Sequence, residues 1–175
     1  MKYVAAVVVS VFLSAAAPRE AAAQDVGSGA RIATDGVEFV TGVMDFDLSG
    51  TGKTAPMVFR TSKSLTNRLG LEIGATLAWP SQQFGSSTIV LPEALLSWSW
   101  RLGPVRPFVS GGVGLMAESA LSEIDWEPTF LGGGGARIQL SKQLYAIGEM
   151  RLRGISSDFS ASTAEWLGGI GFTFR

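Results

Sequence analysis

Cysteine and histidine are both missing from the 175 residues. Without cysteine there is no disulfide, no lipidated cysteine and no thiol nucleophile. Without histidine there is no imidazole base, and the common zinc sites lose their ligands. Charge is sparse, 17% of residues against 46% hydrophobic, and a net −1 offers no basic surface for nucleic acid. Also missing is any apolar run approaching the roughly 20 residues of a membrane-spanning helix. A chain this apolar that crosses a bilayer therefore has to cross it as strands.

What is there begins with Lys2, an apolar run from about Val4 to Ala17, then Pro18-Arg19-Glu20 and Ala21-Ala22-Ala23. The run is short for a span, and Ala21 and Ala23 make an A-x-A site, so residues 1–23 read as a signal peptide for Sec export, cleaved near Ala23-Gln24. Removing Lys2, Arg19 and Glu20 lowers 14 basic and 15 acidic residues to 12 and 14. Residues 24–36 form a polar, Gly-rich lead-in, and residues 37–175 a single domain.

That domain divides into eight strand-like stretches: Val37–Leu48, Thr54–Ser62, Leu69–Trp79, Thr88–Trp100, Arg106–Ala117, Trp126–Leu140, Gln143–Ile155 and Thr163–Arg175. Most reach the roughly 9 to 11 residues that a tilted strand needs to cross a bilayer. Tight connections at Leu65–Arg68, Leu102–Val105 and Ser141-Lys142 alternate with longer polar ones at Pro80–Ser87, Glu118–Asp125 and Ser156–Ser162. Short turns at one end and longer loops at the other are the up-and-down transmembrane barrel pattern, with the short turns periplasmic.

Alternation with a period of two runs inside the stretches. In the last, Ala164, Trp166, Gly168, Ile170, Phe172 and Phe174 share an apolar face, while Thr163, Glu165, Gly169, Gly171 and Thr173 share the other, with Leu167 the one offender. In the third, Leu69, Leu71, Ile73, Ala75, Leu77 and Trp79 oppose Gly70, Glu72, Gly74, Thr76 and Ala78. In the seventh, Ala146, Gly148, Met150 and Leu152 oppose Tyr145, Ile147, Glu149, Arg151 and Arg153. A charge-rich face in so apolar a chain has to turn away from lipid.

Parity thus predicts an interior charge network of Glu38, Glu72, Glu93, Glu149 and Glu165 with Arg60, Arg101, Arg137, Arg151 and Arg153. Glu149, Arg151 and Arg153 are expected to pair with Glu165 on the following strand and Arg137 on the preceding one. A barrel of eight strands has room only for its own side chains, so matched pairs are expected to plug it. Aromatics collect at membrane interfaces, and strand direction predicts one girdle at the turn end, Trp98, Trp100, Phe172 and Phe174. A second, at the loop end, comprises Trp79, Trp126, Phe130 and Trp166.

Two glycine motifs carry no chemistry. Gly52-Lys53-Thr54 lacks the phosphate-loop glycine where Asp47 stands, and a strand follows it in place of a helix. Gly132–Gly135 lies inside a strand, where glycine eases close approach.

The segments Leu65-Thr66-Asn67-Arg68-Leu69-Gly70-Leu71-Glu72 and Leu102-Gly103-Pro104-Val105-Arg106-Pro107-Phe108, the latter followed by Gly-rich Ser110–Leu115, resemble the eight-stranded outer-membrane β-barrel family of Gram-negative bacteria, the OmpA/OmpX-like small barrels. The likeness covers about Val37–Arg175. Trp166, Ile170, Phe172 and Phe174 resemble that family's C-terminal assembly signal, which implies the barrel-assembly machinery as a partner; the family usually ends on an aromatic, whereas here Arg175 follows Phe174. Barrel enzymes of similar fold, outer-membrane proteases and lipid A deacylases, use a histidine that this chain does not have.

The sequence therefore predicts an all-β, eight-stranded antiparallel up-and-down transmembrane barrel behind a signal peptide. It is expected to be monomeric, non-catalytic and without a cofactor, located in the outer membrane, with a structural, envelope-stability or surface-interaction role. Expected partners are outer-membrane lipid and lipopolysaccharide, the latter touched by Gln82–Ser87 or Glu118–Trp126. A small or gated pore and a soluble periplasmic lipocalin-like barrel are the alternatives.

Overall fold

The computed structural model describes residues 35–46, 52–79, 88–120, 123–155 and 161–174. The signal peptide, all but the last two residues of the lead-in, Arg175 and most of the loop-side connections lie outside these. Nine strands form the sheet: β1 Gly36–Phe46, β2 Gly52–Thr54, β3 Met57–Ser64, β4 Leu69–Ala78, β5 Thr88–Ser99, β6 Val105–Ala120, β7 Glu123–Gln139, β8 Leu144–Ile155 and β9 Ala161–Thr173. Every neighbouring pair is antiparallel, and β9 pairs back with β1, so the sheet closes on itself.

β2 and β3 are two pieces of one stave. Thr54 pairs with Met44 and Met57 with Thr41, so the register against β1 runs through the break unchanged. The interruption falls at Ala55-Pro56 because proline has no N–H for the ladder. Two hydroxyls cover the gap: Thr41 Oγ1 donates to the Pro56 carbonyl at 2.8 Å and Thr54 Oγ1 to the Trp79 carbonyl at 2.6 Å. The barrel has eight staves.

Its size follows from register. Stepping from partner to partner, Gly36 leads to Ser62, Glu72, Leu95, Gly112, Leu131, Arg153, Thr163 and then Phe46, ten residues along β1 from the start. Eight staves with a stagger of ten tilt by roughly 40° and leave a lumen just wide enough for side chains. At that tilt, strands of 10 to 13 residues such as β4, β8 and β9 cover an apolar band of about 25 Å.

Both chain ends of the described barrel and the three tight turns lie at one end. The Phe174 amide donates to the Asp35 carbonyl at 2.8 Å, and Asp35 Oδ1 accepts from the Ser64 amide at 2.8 Å. Two turns are built alike: Thr66 Oγ1 accepts from the Leu69 amide at 3.0 Å, and Ser141 Oγ from the Leu144 amide at 3.1 Å. Hydroxyls capping a turn in this way compete with ladder bonds and stop the strand. The third turn reverses at Gly103, whose φ of 63° suits a two-residue hairpin with glycine first.

At the other end β6 and β7 stay paired out to Ala120 and Glu123. The polar stretch Glu118–Asp125, expected to be a loop, is therefore mostly strand. Gly52–Thr54 pairs with β1 as strand, which is not the geometry of a phosphate loop.

Large inward side chains meet glycine on the adjacent stave. A Cβ added to Gly74 would strike Arg60 Cγ, one on Gly135 would crowd Glu149 Cβ at 2.8 Å, and one on Gly171 would enter the Tyr145 ring. At the closing seam, a Cβ on Gly42 would collide with the Trp166 carbonyl, which is backbone and cannot swing aside. Gly148, facing outward, has nothing within 4 Å of an added Cβ. Gly42→Val is expected to prevent closure of β1 on β9, whereas Gly148→Val should change stability by no more than about 0.5 kcal/mol. Unfolding in detergent, followed by circular dichroism, distinguishes the two; equal effects would contradict the seam geometry.

Candidate functional site: the charged lumen

The feature with concentrated chemistry is the barrel interior. Seven of the eight staves each bury at least one charged side chain in it: Glu38 from β1, Arg60 from β3, Glu72 from β4, Glu93 from β5, Arg137 from β7, Glu149, Arg151 and Arg153 from β8, and Glu165 from β9. All nine are buried. The inward parity of each strand places them there, and the glycines opposite give the long side chains space to lie across the lumen.

They fall into two linked groups. Nearer the turn end, Arg60 Nη2 lies 2.9 Å from Glu38 Oε2 and 3.0 Å from Glu149 Oε1, and its Nη1 is 3.5 Å from Glu72 Oε2. Arg137 forks between two carboxylates, with Nε donating to Glu38 at 2.7 Å and Nη2 to Glu72 at 2.8 Å. The Tyr145 hydroxyl donates to Glu38 Oε1 at 2.8 Å. Nearer the loop end, Glu93 bridges two arginines, accepting from Arg151 Nη1 at 2.6 Å and Arg153 Nη2 at 2.7 Å. Glu165 accepts from Arg153 Nε at 2.9 Å and lies 2.5 Å from Arg151 Nη2. Arg151 Nε, 3.7 Å from Glu149 Oε1, joins the groups.

Apolar clusters fill the rest. Val40, Val58, Phe108, Ile147 and Leu167 pack together beside the first group, and the Arg137 guanidinium sits 4.2 Å over the Phe108 ring. Met44, Ala78, Ile89 and Leu91, with Phe46 and Met116 against them, occupy the loop end. The plug is thus a charged network interleaved with hydrophobic layers, and Leu167, which broke the alternation, belongs to one of them.

Three expectations need correction. Arg101 lies exposed in the turn after β5, not in the lumen. The strand's parity ends at Ser99, and no side-chain alternation survives a turn. Arg106, on the first inward position of β6, is the half-buried arginine at that mouth; it lines a cleft with Ser62, Ser97, Arg137, Gln139 and Tyr145. Arg137 does not pair with β8; its partners are Glu38 and Glu72, across the lumen. Trp166 pairs with Val43 and Met150, near the middle of β1 and β8, and so sits well inside the outer band and not at its loop-end rim. Strand tilt makes position counted from a strand's start a poor measure of height.

The other aromatics, Trp79, Trp98, Trp100, Trp126, Phe130, Phe172 and Phe174, are all exposed on the outer face, as are Trp166 and Ile170. Tyr145, Thr76 and Thr163 were missed as network members. Thr76 Oγ1 lies between Glu93 Oε2 at 3.4 Å and Arg151 Nη2 at 3.3 Å, and Thr163 Oγ1 is 3.3 Å from Glu165. Their inward parity was the available signal.

Neither a protein-family model nor a curated protein matches the chain in sequence. Among solved structures, the barrel is similar to Neisserial surface protein A, with a TM-score of 0.66 at 12% identity over 81% of this chain and 97% of that one. It is also similar to the N-terminal β-barrel domain of Pseudomonas aeruginosa OprF, with a TM-score of 0.57 at 14% identity over 80% and 98%. At such identities the likeness is one of fold alone: an all-β, closed, eight-stranded antiparallel barrel.

Removing one partner of a buried ion pair leaves the other charge desolvated and alone, a loss of roughly 3 to 5 kcal/mol. Glu93→Gln strips the shared carboxylate from Arg151 and Arg153 and is expected to cost that much in guanidinium unfolding of the detergent-solubilised barrel. The exposed Arg68→Gln should cost less than about 0.5 kcal/mol. A Glu93→Gln barrel as stable as the parent would show that the network contributes little to holding the staves together.

Proposed function

We propose that the protein is a monomeric, non-catalytic barrel resident in the outer membrane, exported through its signal peptide and serving a structural, envelope-stability or surface-interaction role. The observation that carries this reading is the inversion of the usual soluble pattern. Phe39, Val43, Phe59, Ile73, Leu96, Val113, Met150, Leu152 and Ile170 are exposed in a band around the barrel, while carboxylates and guanidiniums are sealed inside. Water would penalise that outer surface, whereas hydrocarbon accepts it.

The two alternatives fit less well. A lipocalin-like soluble barrel needs an apolar, roomy interior and a polar exterior. A pore needs a continuous water path, but here side chains bridged at 2.5–3.0 Å cross the lumen at two levels. With Trp98, Trp100, Phe172 and Phe174 exposed at the turn end and Trp79, Trp126 and Phe130 toward the loop end, two interfacial girdles suit a bilayer. Trp166, Ile170 and Phe172 on the last strand, with Phe174 just after it, offer an exposed apolar face to the barrel-assembly machinery. Lipopolysaccharide and other surface partners would meet the loop end.

The expressed protein is expected to fractionate with outer membranes and to change gel mobility on boiling, since closed barrels resist detergent until heated. Recovery in the soluble periplasmic fraction, without a heat-dependent shift, would overturn the reading.

A further inference from the structure

The turn end of the barrel has a composition that neither folding nor closure of the lumen calls for. Each of its three turns sets an exposed leucine beside an exposed cation: Leu65 with Arg68, Leu102 with Arg101, and Leu140 with Lys142. No acid occurs in any of the three turns, residues 65–68, 100–104 and 140–143. Lys63 adds a further exposed cation near the end of β3. The nearby Asp35 has its carboxylate engaged by the Ser64 amide. Next to these turns on the outer face stand Trp98, Trp100, Phe172 and Phe174, all exposed.

Among the described residues the other end is acidic on balance, its Lys53 standing 3.9 Å from Asp45. Residues 107–136 contain no lysine or arginine, and Glu118, Glu123, Asp125 and Glu127 occupy the loop-side ends of β6 and β7. Leucine, cation and aromatic together match the boundary of a bilayer, where the aliphatic stem of a lysine or arginine lies along apolar surface and its head reaches phosphate.

We propose that the turn end is a docking surface for the headgroups of anionic phospholipids in the periplasm-facing leaflet, with Arg68, Arg101 and Lys142 on the phosphates and Leu65, Leu102 and Leu140 at the top of the acyl chains. The proposal rests on the membrane reading above and adds a lipid class and a side. Each cation close to an anionic surface is worth a factor of up to about five in affinity. Three of them spaced around the rim would recruit a ring of such lipids and favour one orientation of the barrel in an asymmetric membrane.

Tryptophan placement supplies the test. A W79F/W126F/W166F protein keeps Trp98 and Trp100 as reporters of the turn end; a W98F/W100F/W166F protein keeps Trp79 and Trp126 for the loop end. Each is folded into phosphatidylcholine vesicles containing either brominated phosphatidylcholine or brominated phosphatidylglycerol as quencher. Trp98 and Trp100 are expected to be quenched several-fold more effectively by phosphatidylglycerol, the preference fading in high salt, while Trp79 and Trp126 show none. Adding R68Q/R101Q/K142Q should abolish the preference and leave the heat-dependent gel shift unchanged.

Equal quenching of Trp98 and Trp100 by the two lipids, a preference that survives the triple substitution, or one reported by Trp79 and Trp126 instead would overturn the proposal with the membrane reading intact. Absence of quenching by either lipid would mean that the barrel does not sit in a bilayer, and both would fall.

Discussion

A guanidinium sealed inside a barrel of eight staves keeps its charge chiefly because a carboxylate is sealed in with it. Arg60, Arg151 and Arg153 are each 1% exposed and each contacts two or more carboxylates. The attraction within such pairs amounts to several kcal/mol at an effective dielectric of about 20. Desolvation offsets much of that gain, so the net contribution lies less in raw stability than in the penalty for any arrangement that parts them. Since the partners come from staves far apart in sequence, such as Arg60 with Glu149 and Arg151 with Glu93, satisfying them requires the seven contributing staves to be in place at once.

Space for those side chains depends on glycine. The stagger of ten brings Gly74 beside Arg60, Gly135 beside Glu149 and Gly171 beside Tyr145. Each pairing lets a long side chain cross the lumen where two bulky residues would force the sheet open. Glycine normally weakens a strand, so its abundance on the inward faces of β6, β7 and β9 reflects packing demand. The apolar clusters around Val40 and Met44 then fill what the charges leave, and the result is a packed core with ionic layers.

Much of this was legible in the sequence because side-chain parity in a strand has a period of two and one face must avoid lipid. Nine of the ten charged residues assigned to the lumen by parity are there, and the eight staves fall close to their expected positions. Three things escaped. Arg101 lies beyond Ser99, where the β5 ladder ends and parity no longer carries information. The height of Trp166 does not follow from its distance along β9, because tilt and stagger decide height and both depend on register between strands. The partners of Arg137 were hidden for the same reason: which side chains meet across a lumen is a property of the closed barrel, and no single strand encodes it. Pro56 did carry a readable sign, since a residue without an N–H marks a break in any ladder.

The central claim is that the ionic network closes the lumen. Planar bilayers containing the purified, folded protein test it directly by measuring ion current under an applied voltage. The account predicts no steady open channel from the unaltered chain, because the paired charges of β1, β3, β4, β5, β7, β8 and β9 bar the path. Sustained current that disappears in an Arg151→Ala/Arg153→Ala protein with its fold preserved would contradict it and make those arginines part of a conduction pathway.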